Sequence, residues 1–438
     1  MPAPFRGRDA GRADRRSGLP NIRALADGRA PALSMAPARN PGRGPPSRAL
    51  TLAAVFSSSI GVGLIFGFQP PLIAFVLSRL GTSAFAIGAI TSASLIAVIL
   101  CGPIYPRVIS RFGLKPCIVA GILFAAAVLL AMPLSPAVPY WLALRFIAGC
   151  ALGLVWIASE IWMNNAAGPS ARGTVMGIYG TVFSMGIVAG PVLLELTGTY
   201  GARPFFVGSA SLVLTLLPMA LLRHVTGEAE TTTAVGDTEG HSSGWGILRA
   251  APIVMLAALV AGLVESADLT LLPLYGLRAD LGEHAALSLV AVFMAGNVVL
   301  QVPIGMLADA FGRKRLLGLC ALGSCVGPLL LPYSLDTPLC LWPLLFVWGG
   351  TLYAFYSQGV ALLGEVFPVA SLPGANTMFV MVYCFGGVVG PSAGGKLMDL
   401  WPRHGLVTMV SAAALLMLVG IGAEAATSRP RSPRTRMP

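Results

Sequence analysis

The chain has 438 residues, of which 55% are apolar and only 11% charged. Soluble domains carry about a quarter charged residues, so this composition excludes an ordinary soluble protein and predicts an all-α polytopic membrane protein. The net charge of +11 does not argue for nucleic acid, because the arginine-rich tail before Ala49 and the four arginines after Ser428 hold the whole excess. Basic tails on a neutral apolar body predict instead that both ends lie in the cytoplasm, near anionic lipid.

Residues 1–48 are rich in Arg, Pro, Gly and Ala and read as a disordered tail. Met35 offers a second start within it, and the first apolar run is too long for a cleaved signal peptide. Twelve apolar segments follow, at about 50–77, 85–105, 116–133, 139–161, 173–197, 203–222, 250–275, 285–308, 315–334, 338–363, 373–397 and 404–425. Each is near the twenty or so residues a bilayer requires. In the first, Gln69 precedes Pro70 and Pro71, which are expected to break the helix and free backbone carbonyls. The polar stretch from His224 to Gly246 divides the segments six and six. It predicts one six-helix bundle over 49–223, a solvated linker over 224–249, a second bundle over 250–425 and a basic tail over 426–438. With the N-terminus inside, the cytoplasmic loops hold Arg107, Arg111, Lys115, Arg172, Arg223, Arg249, Arg313, Lys314 and Arg315. The opposite loops hold fewer bases, which supports this orientation. The seven cysteines are scattered without a C-x2-C pair and read as small buried hydrophobes.

Between the eighth and ninth segments stands QVPIGMLADAFGRKR, with Gly305, Asp309, Gly312, Arg313 and Lys314 at the spacing G-x3-D-x2-G-R-K. The glycine at 305 suits close helix approach, Asp309 suits a helix cap or a basic partner, and Gly312 suits a tight reversal. A degraded copy lies about two hundred residues earlier in GPIYPRVISRFGLK, where Gly113 aligns with Gly312 and Ser110 replaces Asp309. Arg107 and Arg111 keep that loop basic. A second repeated element pairs GIVAGP, with Gly186, Gly190 and Pro191, with GVVGP, with Gly390 and Pro391. Both prolines are expected to kink their helices.

The repeated loop resembles the signature of the major facilitator superfamily, the 12-helix secondary transporters. The resemblance covers about residues 49–425 and implies two six-helix bundles rocking about a site near the mid-membrane. It implies that acids at the ends of the fourth and tenth segments, Glu160 and Glu365, pair with basic loops to gate the cytoplasmic side. Glu160 is expected on Arg111 or Arg172, and Glu365 on Arg313. The fifth-segment Gly-Pro element is associated in that family with antiporters, although plain helix packing also explains two copies.

Ionisable residues inside spans are costly and usually face a cavity. Arg145, in RFIAG, matches the family's R-x3-G pattern, whose arginine faces the cavity and is linked to proton coupling or anion contact; the alternative is that it snorkels outward. Glu265 and Asp268, three residues apart in GLVESADLTLLP, fall on one helix face. Low dielectric disfavours two adjacent charges, so one is expected to carry a proton near neutral pH; the alternative is a wet vestibule that binds a cation. Arg145 is expected to reach one of them. Gln69, Asn297, Gln301, Tyr353, Tyr356, Gln358, Asn376 and Tyr383 are candidates for the substrate path or for interhelical bonding.

These readings converge on a secondary active transporter of a small organic solute in the inner (plasma) membrane. It is expected to be driven by the proton gradient without a cofactor, to export by antiport and to be monomeric. Uptake symport or uniport is the alternative direction. No nucleophile–base pair or ligand-spaced histidine cluster points to an enzyme or a metal site, and no folded soluble domain points to a sensor or scaffold. The expected partners are the solute and the bilayer, not nucleic acid.

Overall fold

The computed structural model describes residues 48–166, 172–221, 244–368 and 371–427. The expected tails before residue 48 and after residue 427 lie outside these residues, as does most of the expected linker. The first bundle comprises α1 (Arg48–Arg79), α2 (Ala84–Cys101), α3 (Tyr105–Phe112), α4 (Leu114–Ala131), α5 (Val138–Ala166), α6 (Arg172–Thr197), α7 (Arg203–Leu214) and α8 (Leu217–Leu221). The second comprises α9 (Gly244–Ala250), α10 (Pro252–Arg278), α11 (Glu283–Phe311), α12 (Arg313–Ser334), α13 (Pro338–Val366), α14 (Leu372–Leu400) and α15 (Gly405–Thr427). Among the described residues, 12 helical stretches are long and apolar enough to cross a membrane. The protein is a multi-pass membrane protein.

The outward surface is apolar, with Leu100, Phe124, Leu319 and Leu339 among the exposed side chains. A belt of this kind suits hydrocarbon, where helices satisfy their own backbone. α1 and α10 are the most enclosed spans and form the centre of each bundle. Their close neighbours are set by glycine. A Cβ on Gly186 of α6 would lie 2.5 Å from the Ile60 carbonyl of α1, and one on Gly190 would lie 2.5 Å from Phe68 N. In the other bundle Gly386 and Gly390 of α14 press on the α10 backbone at Leu259 and Leu263. The Gly-Pro elements therefore act first as packing surfaces, which matters where dispersion and close contact replace the hydrophobic effect.

The expected break at Pro70 and Pro71 does not occur, and α1 runs unbroken through both. Adjacent prolines leave only the carbonyls of Phe66 and Gly67 without their i+4 donors, and α6 packs closely on α1 at this level. Pro191 and Pro391 likewise lie inside single helices. The second expected segment ends earlier than read, giving way to the short α3. The sixth divides into α7 and α8 at Thr215, whose carbonyl accepts the Ser57 hydroxyl of α1 at 3.0 Å. The end of the expected linker is helical, with Ile247 of α9 buried.

The α3–α4 and α11–α12 turns mark one end of the molecule, called here the motif end. Gly113 (φ 86°) and Gly312 (φ 90°) make these turns in the left-handed region that favours glycine. The opposite, far end carries the α1–α2 and α10–α11 turns.

Candidate functional site

A cavity of about 110 Å³ lies between the bundles, walled by α1, α2, α5 and α6 on one side and by α10 and α14 on the other. Its lining is largely apolar. Trp156 and Phe183 stack with centroids 6.2 Å apart, and Phe66 meets Trp156 edge-on at 6.1 Å.

Arg145 projects into this cavity from α5. Gly149, one turn further along, lets α5 lie against α2, since a Cβ there would fall 2.6 Å from the Cα of Ser94. That approach brings the guanidinium within reach of α2 and gives the R-x3-G spacing a physical cause. Arg145 donates to the Gln69 side-chain carbonyl of α1, to the Ser94 hydroxyl at 2.8 Å and to the Thr91 carbonyl at 3.4 Å. Among the described residues its Nε has no partner, and only 5% of the residue is exposed. All three partners are neutral, so the expected contact with Glu265 or Asp268 is not made. Nor does the side chain snorkel outward.

Glu265 lines the same cavity from α10 and accepts the Tyr383 hydroxyl of α14 at 2.9 Å. Asp268 does not line it. That residue is fully buried and, among the described residues, neither carboxylate oxygen has a partner. Residues three apart on a helix are offset by about 60°, and α10 is enclosed on every side, so the two acids face different surroundings. They do not form the shared cavity face expected of them.

Of the other path candidates, Gln69 and Tyr383 line the cavity, whereas Asn297, Gln301, Tyr353, Tyr356, Gln358 and Asn376 do not. Tyr356 extends the aromatic wall behind Tyr383, with ring centroids 5.0 Å apart. Tyr353 reaches Gln301 and, across the bundles, Ser184. Asn297 and Gln358 are buried, each with a side-chain oxygen lacking a partner among the described residues, and Asn376 is exposed.

At the motif end, Arg313 bonds Glu365 at 2.9 Å and Asp309 at 3.0 Å, while Lys314 bonds Glu424 at 2.9 Å. All these groups belong to the second bundle, so none of the pairs ties the bundles together. Gly305 has open space where a Cβ would stand, so it makes no close helix approach here. In the degraded copy, Arg107 bonds the Pro103 carbonyl and Ser110 bonds the Arg107 carbonyl. Arg111 lies beside the Phe112 ring and does not pair with Glu160. Instead Glu160 accepts the indole N–H of Trp156 at 3.1 Å. The side chain of Arg172, the other expected partner, lies outside the described residues.

Sequence reasoning did not single out the groups that hold Arg145 on α2, the Phe66–Trp156–Phe183 cluster or the polar groups of the far end. At the far end Arg79 of α1 pairs with Glu283 of α11, and Glu195 of α6 with His284. Among the described residues, the ion pairs that cross between the bundles lie at this end. The signal available in the sequence was that charges mark the helix ends there. Cys101 and Cys150, on α2 and α5, also come together, their sulfurs 3.3 Å apart.

Two bundles around a cavity lined by the Arg145 guanidinium and the Glu265 carboxylate define a membrane transporter fold. The chain matches the sequence profile of the Major Facilitator Superfamily over residues 51–295 and 277–436, and it belongs to that family. It is 23% identical over 373 residues to the uncharacterized MFS-type transporter YfkF of Bacillus subtilis strain 168, covering 82% of this chain and 92% of that one. It is 26% identical over 283 residues to the uncharacterized MFS-type transporter YE1530 of Yersinia enterocolitica, covering 64% and 71%. Among solved structures, the nucleoside transporter NupG superposes with a TM-score of 0.72 at 15% identity, over 85% of this chain and 98% of that one. A bacterial homologue of the human lysosomal transporter Spinster, inward-facing and unoccupied, superposes with a TM-score of 0.73 at 13% identity, over 87% and 96%.

Proposed function

We propose that this chain is a proton-coupled secondary transporter of the inner (plasma) membrane that exports a small organic solute by alternating access. The motif end faces the cytoplasm, as do both termini. The excess of basic residues in the loops of that end and in the tails supports this orientation. One observation carries the proposal: Glu265 is the carboxylate that lines the central cavity, held by Tyr383 in a largely apolar wall. A solute group docked on Glu265 and a proton bound to it compete for the same oxygens, and competition of that kind is antiport. The likeness to NupG is one of fold, and its solute class is not carried over.

A second reading rests on Arg145. Its partners are all neutral, so an anionic solute would meet an uncompensated positive charge. For such a solute, protonating Glu265 removes a like charge from the cavity and favours binding, which is symport. The sign of coupling thus follows the charge of the solute.

Full-length protein in proteoliposomes with an internal pH dye tests both readings. A proton gradient is imposed, and cationic, neutral and anionic solutes are added in turn. Protons moving against a cationic or neutral solute, lost in Glu265→Gln and kept in Asp268→Asn, are expected. Coupling that survives Glu265→Gln overturns the assignment, and protons moving with an anion establish the second reading.

A further inference from the structure

The ion pairs that cross between the bundles among the described residues are at the far end, and the longest contact line there runs between α2 and α14. Two glycines set its spacing. A Cβ on Gly88 of α2 would collide with the Pro391 carbonyl and fall 2.8 Å from Ser392 N. A Cβ on Gly395 of α14 would collide with the Ala84 carbonyl and fall 2.7 Å from Phe85 N. One turn beyond Gly88 the Ser92 hydroxyl donates to the Val388 carbonyl at 2.7 Å. Backbone therefore lies on backbone along a line that joins the two bundles.

The line ends at Asp399. Its two carboxylate oxygens accept the N–H groups of Ala84 and Phe85, each at 3.0 Å. These are first-turn donors of α2 that have no partner within their own helix. The first turn of α2 contains no acidic residue, so the negative charge that complements its dipole comes from the opposite bundle. α2 already has its own cap, because Ser83 accepts the Ala86 N–H at 3.3 Å. The Asp399 bonds are additional, and they join bundles. Arg278 of the second bundle holds the carboxylate in place, donating to Asp399 at 2.9 Å and to the Met398 carbonyl at 2.8 Å. When the bundles part at this end, Asp399 keeps Arg278 and loses α2.

Asp399 differs from the other crossing contacts. The Glu195–His284 pair is largely open to solvent on the histidine side, where such pairs contribute little. The Arg79–Glu283 pair depends on two flexible side chains, although Thr199 also donates to Glu283 at 2.6 Å. Asp399 instead grips main-chain donors, which no substitution on α2 other than proline removes.

We propose that Asp399 is the latch that holds the outer side of this transporter shut, and that Gly88 and Gly395 allow the seam to close far enough for the latch to engage. The inference rests on the alternating-access reading above. It adds which residue sets the balance between the two access states.

Hydrogen–deuterium exchange on the full chain in nanodiscs, without solute, tests it. In Asp399→Ala, the amides of 83–92 are expected to exchange about tenfold faster. The motif-end peptides 157–163 and 360–366 are expected to exchange more slowly, because opening one side closes the other. Gly88→Ala, which wedges the same seam without touching the carboxylate, is expected to give the same reciprocal pattern. Gly63→Ala, at a contact inside the first bundle, is expected to speed exchange in α1 and α6 with no protection at the motif end. Faster exchange confined to the first turn of α2 in Asp399→Ala, with the reciprocal pattern present in Gly88→Ala, reduces Asp399 to a helix cap and overturns the latch. Absence of reciprocal protection in both seam variants overturns alternating access itself, so the two failures are distinguishable.

Discussion

The bond between Gln69 and Arg145 is the clearest quantity to measure, because it needs no solute. Replacing Gln69 with Leu removes the side-chain acceptor that α1 offers to a guanidinium only 5% exposed. A hydrogen bond to a charged group contributes about 1.5–3 kcal/mol. Here the cost lies at the top of that range, about 3 kcal/mol, because the cation stays buried with one N–H unsatisfied and its Nε is already without a partner. Arg145→Met is destabilising for the opposite reason, since it strands the Gln69 side-chain carbonyl, whereas the Ser94 hydroxyl keeps its own bond to the Thr91 carbonyl. The double variant removes both sides of the bond and is expected to cost no more than Arg145→Met alone. The coupling energy is therefore at least the cost of Gln69→Leu alone, about 3 kcal/mol.

Equilibrium unfolding of the four proteins in mixed micelles, followed by tryptophan fluorescence, closes this cycle. Single-variant costs that add to within about 0.5 kcal/mol would refute the reasoning, and with it the claim that neutral groups hold Arg145 in place. Gln69→Glu extends the test to function. It gives the guanidinium a carboxylate, so stability is expected to hold within about 1 kcal/mol while any capture of anionic solutes is lost.

Two further outcomes follow from the packing and the motif end. Gly190→Ala is expected to lower stability by about 1–3 kcal/mol, because its Cβ would meet the α1 backbone, whereas Gly305→Ala enters open space and is expected to cost nothing; thermal unfolding of the two purified variants separates these cases. Glu365→Gln breaks an ion pair whose carboxylate side chain is 57% exposed, so its effect on the same midpoint is expected to correspond to less than about 1 kcal/mol.

The twelve spans were legible because one physical cause, the apolar length a bilayer demands, dominates each of them. The boundaries failed where a distant partner decides the outcome. The break at Thr215 has a local cause in Pro218, which cannot donate to the Leu214 carbonyl, but its other partner is distant: Ser57, 158 residues away, donates to the Thr215 carbonyl. Pro70 and Pro71 look like a break, yet α1 absorbs them beneath α6. The site divides in the same way. Charged residues inside apolar runs stand out by type, and both Arg145 and Glu265 line the cavity. Their partners do not stand out, because Ser94 meets Arg145 only through the close passage of α5 past α2 at Gly149. The acids at 265 and 268 show the limit of spacing as an argument: it places them on neighbouring strips of α10, and the packing around that helix separates them.

The gates bring the same limit to the level of conformation. A loop signature marks residues used somewhere in a cycle, whereas one structure holds one arrangement. At the motif end the signature's charges close on their own bundle, and Gly305 stands in open space. At the far end, where no signature drew notice, glycine backbones touch across the boundary and Asp399 grips α2. The two observations belong together. A glycine without a neighbour in the arrangement where the far end is shut is free to take one when the motif end shuts, and the Gly88–Pro391 contact must then open. On this argument Gly305→Ala, harmless to stability, is expected to oppose closure of the motif end and so to offset Asp399→Ala when the two are combined. Exchange at 157–163 and 360–366 in the double variant reads this directly. A double variant as protected there as Asp399→Ala alone would leave Gly305 without a part in the cycle.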